Sequence, residues 1–311
     1  MKSALNAPHF ADEDAAFAYV EAWLWPDGPV CPHCGTVGEA TRSKGKTTRP
    51  GLWNCRACRK PFTVRMGTVL ESSHVPMRIW LQAIYLICSS KKGISTRQLQ
   101  RTLGGSMKTA WFLGHRIREM MKDSGGLGPL GGGGAIVEAD ETFITRSPKT
   151  RRPADAPARE NRQVLSLVER GGPIRSKFLD HRTVRSALRG QLAPDAQLRT
   201  DSAVSYRKIM PHGQHEAVDH SKREWVRGDA HTNTLEGFFS IFKRGLIGIY
   251  QHIEQQYLDR YLSEFDFRYN YRIKTGYDDK ARADRALVSA KGKRLTYETT
   301  RRQIALDTPP F

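Results

Sequence analysis

The chain has 311 residues, 39% of them hydrophobic, which is enough for two or three small domains with cores of their own. No run of 18 apolar residues occurs, so the sequence offers no membrane-spanning helix. Net charge is +18, and the stretch from Met1 to Val30 opposes it, with Lys2 set against Asp12, Glu13, Asp14, Glu21 and Asp27, so the rest of the chain is more basic still. Such a surface suits a polyanion, and nucleic acid fits better than a membrane because no basic amphipathic helix stands out.

The N-terminus, "MKSALNAPHFADEDAAF", has no charged stretch followed by an apolar one, so a cytoplasmic protein is expected. Residues 11–24 place Ala16, Phe17, Val20, Trp23 and Leu24 on one helical face. Four of the five cysteines then come as "CPHC" (Cys31, Cys34) and "CRAC" (Cys55, Cys58), with positions 35–54 between them. Two such knuckles in a reduced compartment read as one structural Zn(II) held by four thiolates rather than as disulfides. His33 is surplus to a full shell, and Cys88 sits in an apolar helical stretch as a small core residue. Residues 31–60 hold seven Lys or Arg against Glu39 alone, so the ribbon is itself a candidate DNA contact.

Residues 76–122 read as helices. "STRQLQRTL", the Gly104-Gly105 break and "SMKTAWFLGHRIREMMK" suggest a helix-turn-helix with Lys108, Arg116 and Arg118 exposed; plain helix packing is the alternative. "DSGGLGPLGGGG" (123–134) reads as a flexible linker, and it lacks the ending of a phosphate loop. Next come a strand in "AIVEADETFIT", a mobile basic loop in "RSPKTRRPADAPAREN", two hairpin strands, a helix in "TVRSALRGQL", and a strand ending at Asp201. The expected domains are therefore 1–66, 67–122, a linker 123–134, 135–272, and a basic tail 273–311 with helix at 279–290 and no assigned role.

Asp140 lies on the first, central strand of 135–272, Asp201 at the end of a later one, and Glu236 on a helix that follows. Carboxylates from two strands and a flanking helix can converge at one end of a mixed sheet. There they could hold two Mg(II) ions, which activate water or a 3′-hydroxyl. Glu236 also has a purely structural reading: Asn233 as helix cap, with Glu236 reaching back to its N–H in a capping box. Glu138 shares the strand face of Asp140, and Glu138 and Glu141 read as auxiliary or structural. His231 reads as a solvated loop residue or a phosphate-orienting one. Leu258, Tyr261, Leu262, Phe265 and Tyr269 form a core stripe, with Glu264, Arg268 and Arg272 as surface ion pairs or DNA contacts.

"WPDGPVCPHCG", "VEADETFI", "TDSAVSY", "HTNTLEGFFSIFKRGL" and "LSEFDFRYNYR" together resemble the DDE transposases of bacterial insertion sequences. The match is to the zinc-ribbon-bearing group related to Merlin transposons (insertion-sequence family fifteen-ninety-five), over residues 11–272. The resemblance implies a multidomain α+β protein: zinc ribbon, helix-turn-helix-like module, and a ribonuclease-H-like catalytic domain with a mixed sheet. It implies Asp140, Asp201 and Glu236 as ligands of two Mg(II) or Mn(II) ions, and Lys243 as a contact to DNA phosphate. Asn233 also matches a family position, and some relatives use asparagine as the third element, so Asn233 and Glu236 compete for that role. A glycine pair usual after "DETFI" is replaced here by "TRSPKTRRP".

The implied activity is strand cleavage at terminal inverted repeats and transfer into target DNA, by at least a dimer, in the cytoplasm at the nucleoid. A zinc-ribbon DNA-binding regulator with a non-catalytic domain and a nuclease that does not join are the alternatives.

Overall fold

The computed structural model describes residues 3–45, 47–123, 126–144, 162–179, 183–201, 204–206, 209–211 and 213–295. The basic loop read at 146–161, and all of "TRSPKTRRP" (145–153), lie outside them. Among the described residues no helix is long and apolar enough to cross a membrane. The chain divides into two compact units, residues 1–122 with 272–311 and residues 123–271.

In the first unit, helix α1 (Glu13–Leu24) starts at Asp12, whose side chain accepts from the Ala15 N–H at 2.7 Å. It buries Ala16, Phe17, Val20 and Leu24, but Trp23 stays 41% exposed, off the face expected for it. Strands β1 (Ala40–Arg42), β2 (Trp53–Cys55) and β3 (Pro61–Phe62) form a small antiparallel sheet. Helices α2 (Met77–Ser89), α3 (Thr96–Leu103) and α4 (Met107–Met121) follow, with Ser95 and Ser106 capping the last two. Gly104 and Gly105 turn between them at φ +79° and +81°, backbone that side-chain-bearing residues resist.

Arg116 and Arg118, expected on the surface of α4, are buried. The Arg116 guanidinium lies over the Phe112 ring and donates to the Leu295 carbonyl at 3.2 Å. The exposed bases here are Arg97, Arg101 and Lys108. The described part of the tail (273–295) also folds: α8 (Asp279–Val288) packs on α1, α2 and α4, and Arg282 donates to the Cys88 carbonyl at 3.0 Å.

The second unit is built on one mixed five-stranded sheet in the order β6-β5-β4-β7-β8. Its strands are β4 (Ile136–Ile144), β5 (Arg162–Glu169), β6 (Ile174–Phe178), β7 (Gln197–Asp201) and β8 (His215–Val218). β4, β7 and β8 run parallel, while β5 and β6 are antiparallel to their neighbours. The short β8 was not expected: "HEAV" carries no clear alternation and is held by pairing with β7. Strand alternation sorts the side chains onto two faces. Val137, Ala139, Leu165, Leu167 and Leu198 pack beneath α5 (Val184–Leu188). Val164, Val168 and Ile174 pack against α6 (Asn233–Gly245) and α7 (Leu258–Asn270) through Leu235, Phe238, Phe242, Leu262 and Phe265. Asp266 of α7 accepts from both the N–H and the hydroxyl of Ser176, each at 2.7 Å, which locks α7 to the edge strand.

Glu264 and Arg268 are buried and ion-paired on α7, with the Tyr250 hydroxyl donating to Glu264 at 2.6 Å. They are an internal brace, neither the surface pair nor the DNA contact the four-residue spacing suggested. Part of the glycine-rich stretch belongs to the sheet unit: Leu130 is buried and bridges Leu192. At Gly131, with φ +87°, an added Cβ would come within 2.4 Å of Ala196 Cβ and 2.9 Å of Val137 Cγ2. Gly131→Ala is therefore expected to cost about 2–4 kcal/mol in chemical denaturation. Gly132→Ala, where a Cβ meets nothing within 4 Å, should change stability by less than about 0.5 kcal/mol.

Candidate active site and metal centre

In the small sheet, the two knuckles bring Cys31, Cys34, Cys55 and Cys58 together so that their sulfurs all lie within 4.8 Å of one another. Cys31 and Cys58 are 3.7 Å apart, and Cys34 and Cys55 3.6 Å. Four sulfurs at about 2.3 Å around one tetrahedral Zn(II) would be about 3.8 Å apart, so the cluster fits that ion closely. His33 points elsewhere, with Nε2 3.2 Å from the Pro61 carbonyl. Chelation of the bound metal is expected to unfold this sheet, read by loss of tertiary signal together with release of about one zinc per chain.

The second site begins with strand register. β4 and β7 pair in parallel with Val137 opposite Leu198 and Glu138 opposite Arg199. Continuing that register by two residues sets Asp140, in the middle of β4, level with Asp201 at the carboxyl end of β7. By alternation both lie on the face covered by α6, and so do Glu138 and Arg199 one side-chain row below. Glu141 is on the opposite face, its carboxylate near the buried Tyr206 hydroxyl without a hydrogen bond of normal geometry; burial raises both groups' pKa. Burial also pushes Asp140 up to about 7, reinforced by the carboxylates of Asp201, Glu141 and Glu236. The Glu141 N–H, donating to Asp140 Oδ1 at 2.8 Å, offsets this only in part. Asp140, Asp201 and Glu236 thus share one electrostatic neighbourhood. Among the described residues they do not converge as tightly as the four sulfurs.

The start of α6 departs from the capping box expected for Asn233 and Glu236. Asn233 is the first helical residue, and Thr232 precedes it as N-cap, its side chain bonding none of the first-turn N–H groups. The cap comes from another strand: Glu138 accepts from the N–H groups of Thr234 (2.9 Å) and Leu235 (3.2 Å) and from the Thr234 hydroxyl (2.8 Å). Glu236 is released from capping; its Oε1 accepts a long bond from the Thr232 hydroxyl at 3.5 Å. Asn233, Glu236 and Lys243 all lie on the exposed side of the helix, opposite Leu235, Phe238 and Phe242.

His231 is not simply solvated. Arg170 donates to its Nδ1 and to its carbonyl, both at 3.0 Å, and Arg170 Nε donates to Glu138 at 2.7 Å. Because arginine only donates, Nδ1 is the acceptor in that contact. Arg199 donates to Asp229 at 3.0 Å on the same face. Arg170 and Arg199 escaped the sequence reading, since arginines in a turn and a strand of a basic chain carry no mark of the partner they find.

Residues 129–270 match the ISXO2-like transposase domain, and residues 11–61 the transposase zinc-ribbon domain. A curated relative described as an uncharacterized protein in transposable element ISH50, from Halobacterium salinarum, is 26% identical over 279 residues. That alignment covers 83% of this chain and 91% of the relative.

The chain belongs to this family of insertion-sequence transposases. The ribbon match makes the four-cysteine cluster of the transposase a zinc-ribbon centre, and the domain match spans Asp140, Asp201 and Glu236 alike.

Asp140 also gives the metal-free transposase a specific pH dependence. The unfolded chain loses this proton near its ordinary 3.8, the folded one only near 7. The folded state therefore binds more protons between those values, and stability falls as pH rises through that window. Asp140→Asn should remove that decline and stabilise the metal-free protein by about 1–3 kcal/mol at pH 8 but little below pH 4, read by thermal unfolding across pH.

Proposed function

We propose that this transposase cleaves DNA at the terminal inverted repeats of its element and joins the freed 3′-hydroxyl to target DNA. The observation that carries this reading is the level placement of Asp140 and Asp201 on adjacent parallel strands, beneath the helix that bears Glu236. A mixed sheet with a central acid-bearing strand and helices on both faces supports a ribonuclease-H-like fold for the second unit. Asp140, Asp201 and Glu236 would hold two Mg(II) or Mn(II) ions. Crowded, partly buried carboxylates that keep Asp140 protonated near neutrality are a donor set that a hard divalent cation relieves. When bound, the metal supplies charge neutralisation at the scissile phosphate and lowers the pKa of the attacking water or 3′-hydroxyl.

The chain's own residues would do the rest. Lys243, two turns along α6 from Glu236 on its exposed side, would fix a DNA phosphate. Asn233, in the first turn, would hydrogen-bond substrate beside the acids while Glu236 completes the ligand set. The α3–α4 pair, with Arg97, Arg101 and Lys108 exposed around the glycine turn, would act as the helix-turn-helix that reads the repeats together with the basic ribbon. Pairing of two element ends calls for at least a dimer on DNA, working at the nucleoid.

Glu236→Gln, Asp140→Asn and Asp201→Asn should each lower Mg(II)-dependent strand cleavage by about 10²-fold or more while DNA binding is kept or tightened. The third-ligand assignment falls if Glu236→Gln cleaves and joins a labelled repeat duplex like wild type while Asn233→Ala does not. Lys243→Ala should instead weaken DNA affinity and reduce the salt slope of binding by about one, with half-saturating Mg(II) unchanged.

A further inference from the structure

We propose that Glu138 and Arg170 are positioning residues, which set where Glu236 stands relative to Asp140. This rests on the active-site reading above. Glu138 is fully buried, and its carboxylate takes up the free N–H groups at the start of α6 as well as the Thr234 hydroxyl. Its charge is balanced by Arg170, which also grips His231 through both Nδ1 and the carbonyl. Glu138 is two residues before Asp140 on the same strand and the same face, a separation of about 6.6 Å. One stretch of strand therefore carries both an active-site acid and the socket for the helix bearing another. Arg199, opposite Glu138 on β7, repeats the arrangement by holding Asp229 at the end of the loop that leads into α6.

A carboxylate at an ordinary helix start is held by a cap on its own chain segment, which leaves the helix free to shift over the sheet. Here the cap is supplied by the strand itself, so a shift of α6 along the sheet breaks up to three hydrogen bonds to a buried charge. That stiffness is what a metal-binding triad needs, since displacement of one ligand by about 1 Å costs on the order of 10²-fold in rate. Supporting groups of this kind are typically worth about 10–100-fold in metal affinity or activity.

The test compares Glu138→Gln and Arg170→Gln with wild type in the full-length protein. Glutamine at 138 keeps an acceptor for the helix N–H groups but not the charge that grips Arg170. Arg170→Gln leaves the socket in place and removes the grip on His231. Two measurements decide: the half-saturating Mn(II) concentration for thermal stabilisation without DNA, and the cleavage rate per folded molecule at saturating metal. A positioning role raises the first about tenfold and lowers the second about 10–100-fold, with DNA affinity unchanged. Thr234→Val, which removes only the hydroxyl bond, should give a smaller change in the same direction and guards against the case in which Glu138→Gln does not fold.

If the variants that fold show wild-type values in both measurements, or if lost activity only tracks the unfolded fraction, Glu138 and Arg170 merely stabilise the fold and the proposal is overturned. Asp140→Asn and Glu236→Gln serve as separate controls. Should they cleave normally, the active-site reading itself fails, whatever position 138 does.

Discussion

A carboxylate buried under a helix start organises the second unit. Glu138 would be a liability alone, because a charge out of water costs several kcal/mol unless it is paired and hydrogen-bonded. The fold meets that cost with the one thing every helix has in surplus, the unsatisfied N–H groups of its first turn. Because the helix bears Glu236 and the strand carries Asp140 two residues on, a solution to a burial problem would also fix the geometry of the proposed site. Arg170 and His231 complete the pairing and bring the preceding loop under the same control.

The two candidate metal sites of this transposase rest on different physics. At the ribbon, four soft thiolates come from two turns close together in the chain, their sulfur spacing fits a tetrahedral Zn(II), and the ribbon match names that ion. At the sheet, the proposed ligands are hard carboxylates from elements far apart in the chain, which strand register and helix docking would assemble. Burial, reinforced by the neighbouring carboxylates, raises the pKa of Asp140 to about 7, a tension that a bound divalent cation would release. The first site is local and cohesive. The second, as proposed, would depend on the sheet, its alternation and the Glu138 cap all holding at once.

Several side chains show how burial reverses a reading based on spacing. Glu264 and Arg268 recur four residues apart, as surface pairs do, yet they lie in the interior because α7 is covered on that side as well. Arg116 and Arg118 look like a basic helical face and are instead buried, one against an aromatic ring and a carbonyl from the tail. Trp23 fits the apolar stripe of α1 and still stays 41% exposed, because the buried face is turned toward Glu21, which is buried at its other edge.

Much of this protein was legible in one dimension. The cysteine knuckles, the strand–hairpin–helix–strand order, the central place of β4, the candidate acids Asp140, Asp201 and Glu236, and the resemblance to insertion-sequence transposases all depend on spacing and local pattern. Those survive without coordinates because metal-ligand turns, period-two strands and short motifs are short-range facts. Which residue caps α6, where the tail packs, that β8 pairs at all, and which arginines are buried depend on contacts between residues distant in the chain. Nothing in the local sequence of Glu138 announces that its partners are Thr234 and Arg170. Only the folded sheet, by turning even-numbered residues of β4 toward one helix, decided that.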